Sequence, residues 1–101
     1  MTHPIKPDPA LAAEFKARPL GHHSPGLQRL LRLFRGEPTA GKYALLRTKP
    51  EREWMLVQFT GIKGEKLILH PDTIFTDWNA AEWAVFKLRW RRHFGQDLAM
   101  D

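Results

Sequence analysis

Residues 78–94, WNAAEWAVFKLRWRRHF, read as a helix with two apolar faces, whereas a small monomer needs only one. With each residue about 100° after the last, Trp78, Ala81, Ala84, Val85 and Leu88 fall on one arc. Trp83, Phe86, Trp90 and Phe94 fall on a second. Glu82, Arg89 and His93 separate the arcs on one side, and Lys87 and Arg91 separate them on the other. Arg92 falls inside the first arc, near its end. One arc can close the chain's own core. The other carries large aromatic side chains that need a second surface, and exposed aromatic patches rimmed by charge mark partner sites. The competing reading is that a strand or the N-terminal arm covers the second arc from within, for which 101 residues are just enough.

That length fits one domain and leaves little room for a sizeable active-site cavity. The chain has no cysteine, which excludes a disulfide framework, a thiolate zinc site and a thiol nucleophile. No apolar run approaches the roughly 18 residues that span a bilayer. The opening MTHPIKPDPALAAEF lacks the charged-then-apolar pattern of a signal peptide. A cytoplasmic location without a membrane partner is therefore expected. A net charge of +5 favours an acidic partner, whether protein, nucleic acid or anionic surface, without choosing among them.

Pro4, Pro7 and Pro9 argue for an extended arm at the start. Asp8 before Pro9 supplies a cap and a first-turn proline for a short helix to about Ala17, stopped by Arg18-Pro19. Ser24-Pro25 repeats the signal for a second helix to about Arg35, with Gly36 as its stop. On that helix Leu27, Leu30, Leu31 and Phe34 share one face, and Gln28, Arg29, Arg32 and Arg35 the opposite one. After Glu37–Gly41 the period changes, and Lys42–Thr48, Glu53–Thr60 and Glu65–His70 read as strands joined by turns. Thr73-Ile74-Phe75 is a fourth short strand or a packed loop. Asp77 or Asn79 can cap the last helix, Gly95 ends it, and residues 96–101 read as a tail. The expected fold is α+β: N-terminal helices, a three- to four-stranded antiparallel meander, and a C-terminal helix packed on the sheet. Residues 1–18 form an arm and short helix, and 19–95 the single α+β domain.

Motifs with chemistry are scarce. Gly36–Lys42 has the spacing of a phosphate-binding loop up to the lysine, but Tyr43 replaces the magnesium-binding hydroxyl. The loop also runs from helix into strand, the reverse of what aims amides and a helix dipole at a phosphate. His22-His23 has no Asp or Glu beside it at metal-ligand spacing, and His70 and His93 stand apart. Ser24, before a proline at a helix start, is a capping serine rather than a nucleophile. Arg29, Arg32, Arg35, Lys87, Arg89, Arg91 and Arg92 make the case for nucleic acid, with Trp83, Phe86 and Trp90 available to stack bases. The aromatic and basic residues of the last helix lie on different arcs, however, and no KH-type loop or RNP motif accompanies them.

The stretch Gly21–Arg29, with Phe34-Arg35-Gly36-Glu37-Pro38-Thr39-Ala40-Gly41-Lys42-Tyr43, resembles the small subunit of N,N-dimethylformamidase. That family pattern places H-x-S-P-x-L-Q-R on a helix leading into F-R-x-x-P-T-x-G-K/R-Y and a strand. Glu51-Arg52-Glu53-Trp54 and Ala84-Val85-Phe86 are similar to later parts of the same subunit. The resemblance spans residues 19–92, with 24–43 its specific part. Leu30-Leu31-Arg32-Leu33 departs from a more polar, aromatic stretch, and the strands differ widely.

The resemblance implies an accessory, non-catalytic subunit of an amide hydrolase, binding and stabilising a large catalytic subunit that holds iron. It carries over no catalytic residue and no cofactor to this chain. Trp83, Phe86, Trp90 and Phe94, or Arg29, Arg32 and Arg35 with His23, are then the expected partner-binding residues. The alternatives are a stand-alone basic nucleic-acid-binding module, and a homodimer closed through the aromatic arc.

Overall fold

A computed structural model describes residues 7–98. The first six residues of the expected arm and the last three of the expected tail lie outside the described residues. The element order is α1 (Pro9–Ala17), α2 (Pro25–Arg35), β1 (Tyr43–Lys49), β2 (Glu53–Gln58), β3 (Ile68–Phe75) and α3 (Trp78–Phe94). The fold is α+β, with an antiparallel sheet of order β1-β2-β3.

Helix starts follow local side chains. Asp8 accepts a hydrogen bond from the Ala10 amide at 3.0 Å, and Ser24 from that of Leu27 at 3.3 Å. Asp77, rather than Asn79, caps α3 by accepting from the Ala80 amide at 3.2 Å. Gly95 ends α3 in the left-handed region at φ 73°, where a side chain is disfavoured. Ser24 also donates through its hydroxyl and its amide to Glu14, at 2.5 and 2.7 Å, and so ties α1 to the start of α2.

Among the described residues the meander has three strands, not four. Thr73-Ile74-Phe75 is the far half of β3. The β2–β3 register jumps from Met55↔Ile74 to Leu56↔His70, so Pro71 sits in the interruption, where no ladder amide is required.

The two apolar arcs of α3 find different partners. α1 and α2 pack on each other and on α3 but do not come close to the strands, which leaves α3 as the middle layer. Towards the sheet, Leu88 lies over Tyr43, Leu56 and Gln58, and the Trp78 ring sits 5.3 Å from that of Trp54. Towards α1 and α2, Trp83, Phe86 and Trp90 join Ala12, Phe15, Leu27, Leu30 and Phe34 in one buried cluster. Phe86 stacks on Phe15 at 4.4 Å and meets Phe34 edge-on at 5.6 Å. Burying such side chains contributes about 1.5–3 kcal/mol each, so the aromatic arc is the main source of stability for the helical half.

Candidate functional site

The sheet covers itself on one side only. Strand alternation and register put Tyr43, Leu45, Trp54, Leu56 and Phe75 on the face under α3. The same alternation puts Leu46, Met55, Val57, Leu69 and Ile74 on the opposite face, with Phe59 directly after β2; Val57, in the central strand, is nevertheless only 2% exposed. No described element packs there. Leu69 is 53% exposed, and Leu46, Phe59 and Ile74 between 38% and 39%. At one end of this face Glu53 accepts from Thr48 at 2.6 Å and lies 3.7 Å from Lys49, giving a polar rim. An apolar centre with a polar border is the anatomy of an interface.

The sequence signal for this face is the unbroken run Trp54-Met55-Leu56-Val57. A strand with one wet face alternates, whereas an unbroken apolar run demands cover on both sides. Alternation places the strand, and only the unbroken run signals the second face.

The aromatic arc, by contrast, is not a free surface. Trp83 is 8% exposed, and Phe86 and Trp90 2% each, because α1 and α2 lie across them. The expectation that these residues present a docking face is corrected: the second surface they need is supplied by the chain's own N-terminal helices. Phe94 is half-buried at the edge of the cluster, 4.8 Å from the Trp90 ring. Buried in this way, Trp83, Phe86 and Trp90 are not available to stack bases.

Arg29, Arg32 and Arg35 are exposed along α2, on the side away from the buried Leu27, Leu30 and Phe34. His23 is half-buried, its Nε2 donating to the Arg18 carbonyl at 2.8 Å and its ring 6.2 Å from Phe15. It and Arg35 share a cavity, while Arg29 and Arg32 do not line it.

That cavity belongs to the seam marked in the sequence by Glu82, Arg89 and His93, the polar residues between the arcs. His93 pairs with Glu37 through Nδ1, joining the end of α3 to the turn after α2. Arg89 donates through Nη2 to the Tyr43 carbonyl at 3.2 Å, and its buried Nε has no partner among the described residues. Burial lowers the Arg89 pKa, with Glu82 opposing and Arg35 adding to the effect. Burial also raises the Glu82 carboxyl above the ordinary range, against the pull of Arg89. On the other side of α3, Arg92 donates to the Pro38 and Ala40 carbonyls at 3.0 and 2.6 Å, so this arginine braces the entry to β1. Its place inside the apolar arc is thereby explained.

Among the described residues, no group of three or more His, Asp or Glu is placed to hold a metal ion. No helix of the described residues is long and apolar enough to cross a membrane. The Ser24 hydroxyl is committed to Glu14 and to the α2 cap.

The sequence profile of the N,N-dimethylformamidase alpha subunit family matches residues 5–99. The chain belongs to that family. The match reaches well beyond the 24–43 block to take in the arm side of α1, all three strands and α3. A search of curated proteins gave no match. Membership in a subunit family points to a hetero-oligomer.

Proposed function

We propose that this chain is an accessory, non-catalytic subunit of a dimethylformamidase-like amide hydrolase, and that it binds and stabilises a larger catalytic subunit. The observation that carries the reading is the exposure of Leu46, Phe59, Leu69 and Ile74 on the sheet face away from α3, in a chain of a subunit family. On this reading the larger subunit supplies the layer that the sheet lacks, much as α3 supplies it on the other face. The exposed Arg29, Arg32 and Arg35, on the outward side of α2, form a second, charge-steered contact away from the sheet face. The amide-hydrolysing residues and any iron then belong to the larger subunit, and the location is cytoplasmic.

The test is purification of the tagged chain from its own cells at moderate salt, followed by an amide-hydrolysis assay of what accompanies it. A stoichiometric larger protein with amidase activity supports the reading. A lone monomer, a homodimer, or a complex with nucleic acid that dissolves with salt contradicts it.

A further inference from the structure

A cavity of about 310 Å³ lies between the α1–α2 loop, the last turn of α2 and the middle of α3. Its charged lining is Arg35, Arg89 and Glu82, with Phe15 and Phe86 as apolar wall. Neither arginine has a carboxylate within ion-pair distance among the described residues, although other ion pairs form elsewhere. Arg89 has one carbonyl acceptor, and its buried Nε has none. That Nε is sealed from the cavity, so a ligand there meets the rest of the Arg89 guanidinium and Arg35, and a carboxylate is the acceptor whose geometry best matches a guanidinium fork.

We propose that this cavity is a binding site for a monocarboxylate, held by Arg89 and Arg35, with the apolar part of the ligand against Phe15 and Phe86. Glu82 sets the selectivity. It lies two turns before Arg89 on the same side of α3, about 10 Å along the axis, and its charge opposes a second negative group. A dicarboxylate, sulfate or phosphate is therefore disfavoured. The carboxylate is either a free small acid or an Asp or Glu side chain of a partner protein. The inference does not depend on the open sheet face.

Sodium propionate, which carries the carboxyl group of a glutamate side chain, is the probe. It is titrated into the full chain at constant ionic strength against chloride, with arginine Nε–H resonances and melting temperature as readouts. The expected result is a saturable shift of the Arg89 Nε–H signal, assigned by its loss in Arg89→Lys, together with a saturable rise in melting temperature. Arg35→Gln, at an exposed position that leaves folding intact, should weaken the apparent affinity about tenfold or more. Arg29→Gln, on the same helix but outside the cavity, should leave it unchanged, and sulfate should act no differently from chloride. Shifts that are linear and equal for propionate and chloride overturn the site, as does an unchanged affinity in Arg35→Gln. The source follows from assembly at moderate salt: if Arg35→Gln weakens association with the larger subunit at least tenfold more than Arg29→Gln does, the carboxylate is that protein's side chain. If the two variants assemble alike, it is a free acid.

Discussion

Trp90 has almost no surface in the free chain, so its replacement acts on folding before it acts on assembly. Trp90→Ala should destabilise the isolated chain by about 3–5 kcal/mol, read by chemical denaturation. A stability within 1 kcal/mol of the parent, with assembly lost, would put the indole in an interface instead. Gly61 is constrained differently. It has φ 79°, and an added Cβ would lie 2.7 Å from the Cβ and 2.8 Å from the Cα of Ala40. Gly61→Ala should therefore cost about 1–3 kcal/mol, although the position is exposed. Two carboxyls give opposite pH signatures. The Ser24 hydroxyl and amide hold Glu14 below its ordinary value, so its contribution is present at neutral pH and is lost as pH falls through the folded value. Burial holds Glu82 above its ordinary value, so stability falls as pH rises from the ordinary carboxylate range through the raised folded value. Glu14→Gln should flatten the acid limb of the melting-temperature profile, whereas Glu82→Gln should raise the melting temperature at pH 7 and lose that advantage in acid.

At the scale of elements, α3 explains why a chain this small carries so many aromatic residues. It is a central helix with a sheet on one side and a helical pair on the other, so both arcs are core. The period of 3.6 made the arcs legible in the sequence, as capping pairs did the starts of α1 and α2. Which surface covered the aromatic arc was not legible, because periodicity reports that a face is apolar and not what lies on it. The partner, α1 with α2, is fixed by tertiary contacts such as Phe15 on Phe86 and Glu14 on Ser24. The open sheet face was legible in principle from Trp54–Val57. The Glu82–Arg89 cavity was not, since it needs Arg35 brought in from a helix far away in sequence. On β3 the prediction is clear-cut: Leu69→Asp, at a half-exposed position facing away from α3, should leave the stability of the free chain within about 0.5 kcal/mol. A loss of several kcal/mol would mean that Leu69 is covered in the free chain.

For the molecule as a whole, the described chain covers both arcs of α3 and leaves one face of its sheet apolar and without a helix. α1 and α2 cover one arc of α3, and α3 covers the sheet's inner face apart from the exposed Ile68 at its edge. The outer sheet face keeps Leu46, Phe59, Leu69 and Ile74 in water. Membership in a subunit family gives that unfinished face a natural occupant. The direct test compares the parent chain, Leu69→Asp and Arg29→Gln for binding to the isolated larger subunit by light scattering and titration. The account predicts that Leu69→Asp weakens association by about 2 kcal/mol or more, roughly thirtyfold, without unfolding the chain, while Arg29→Gln changes it severalfold at most and only at low salt. Undiminished binding by a folded Leu69→Asp chain would contradict the claim that the subunit docks through its open sheet face.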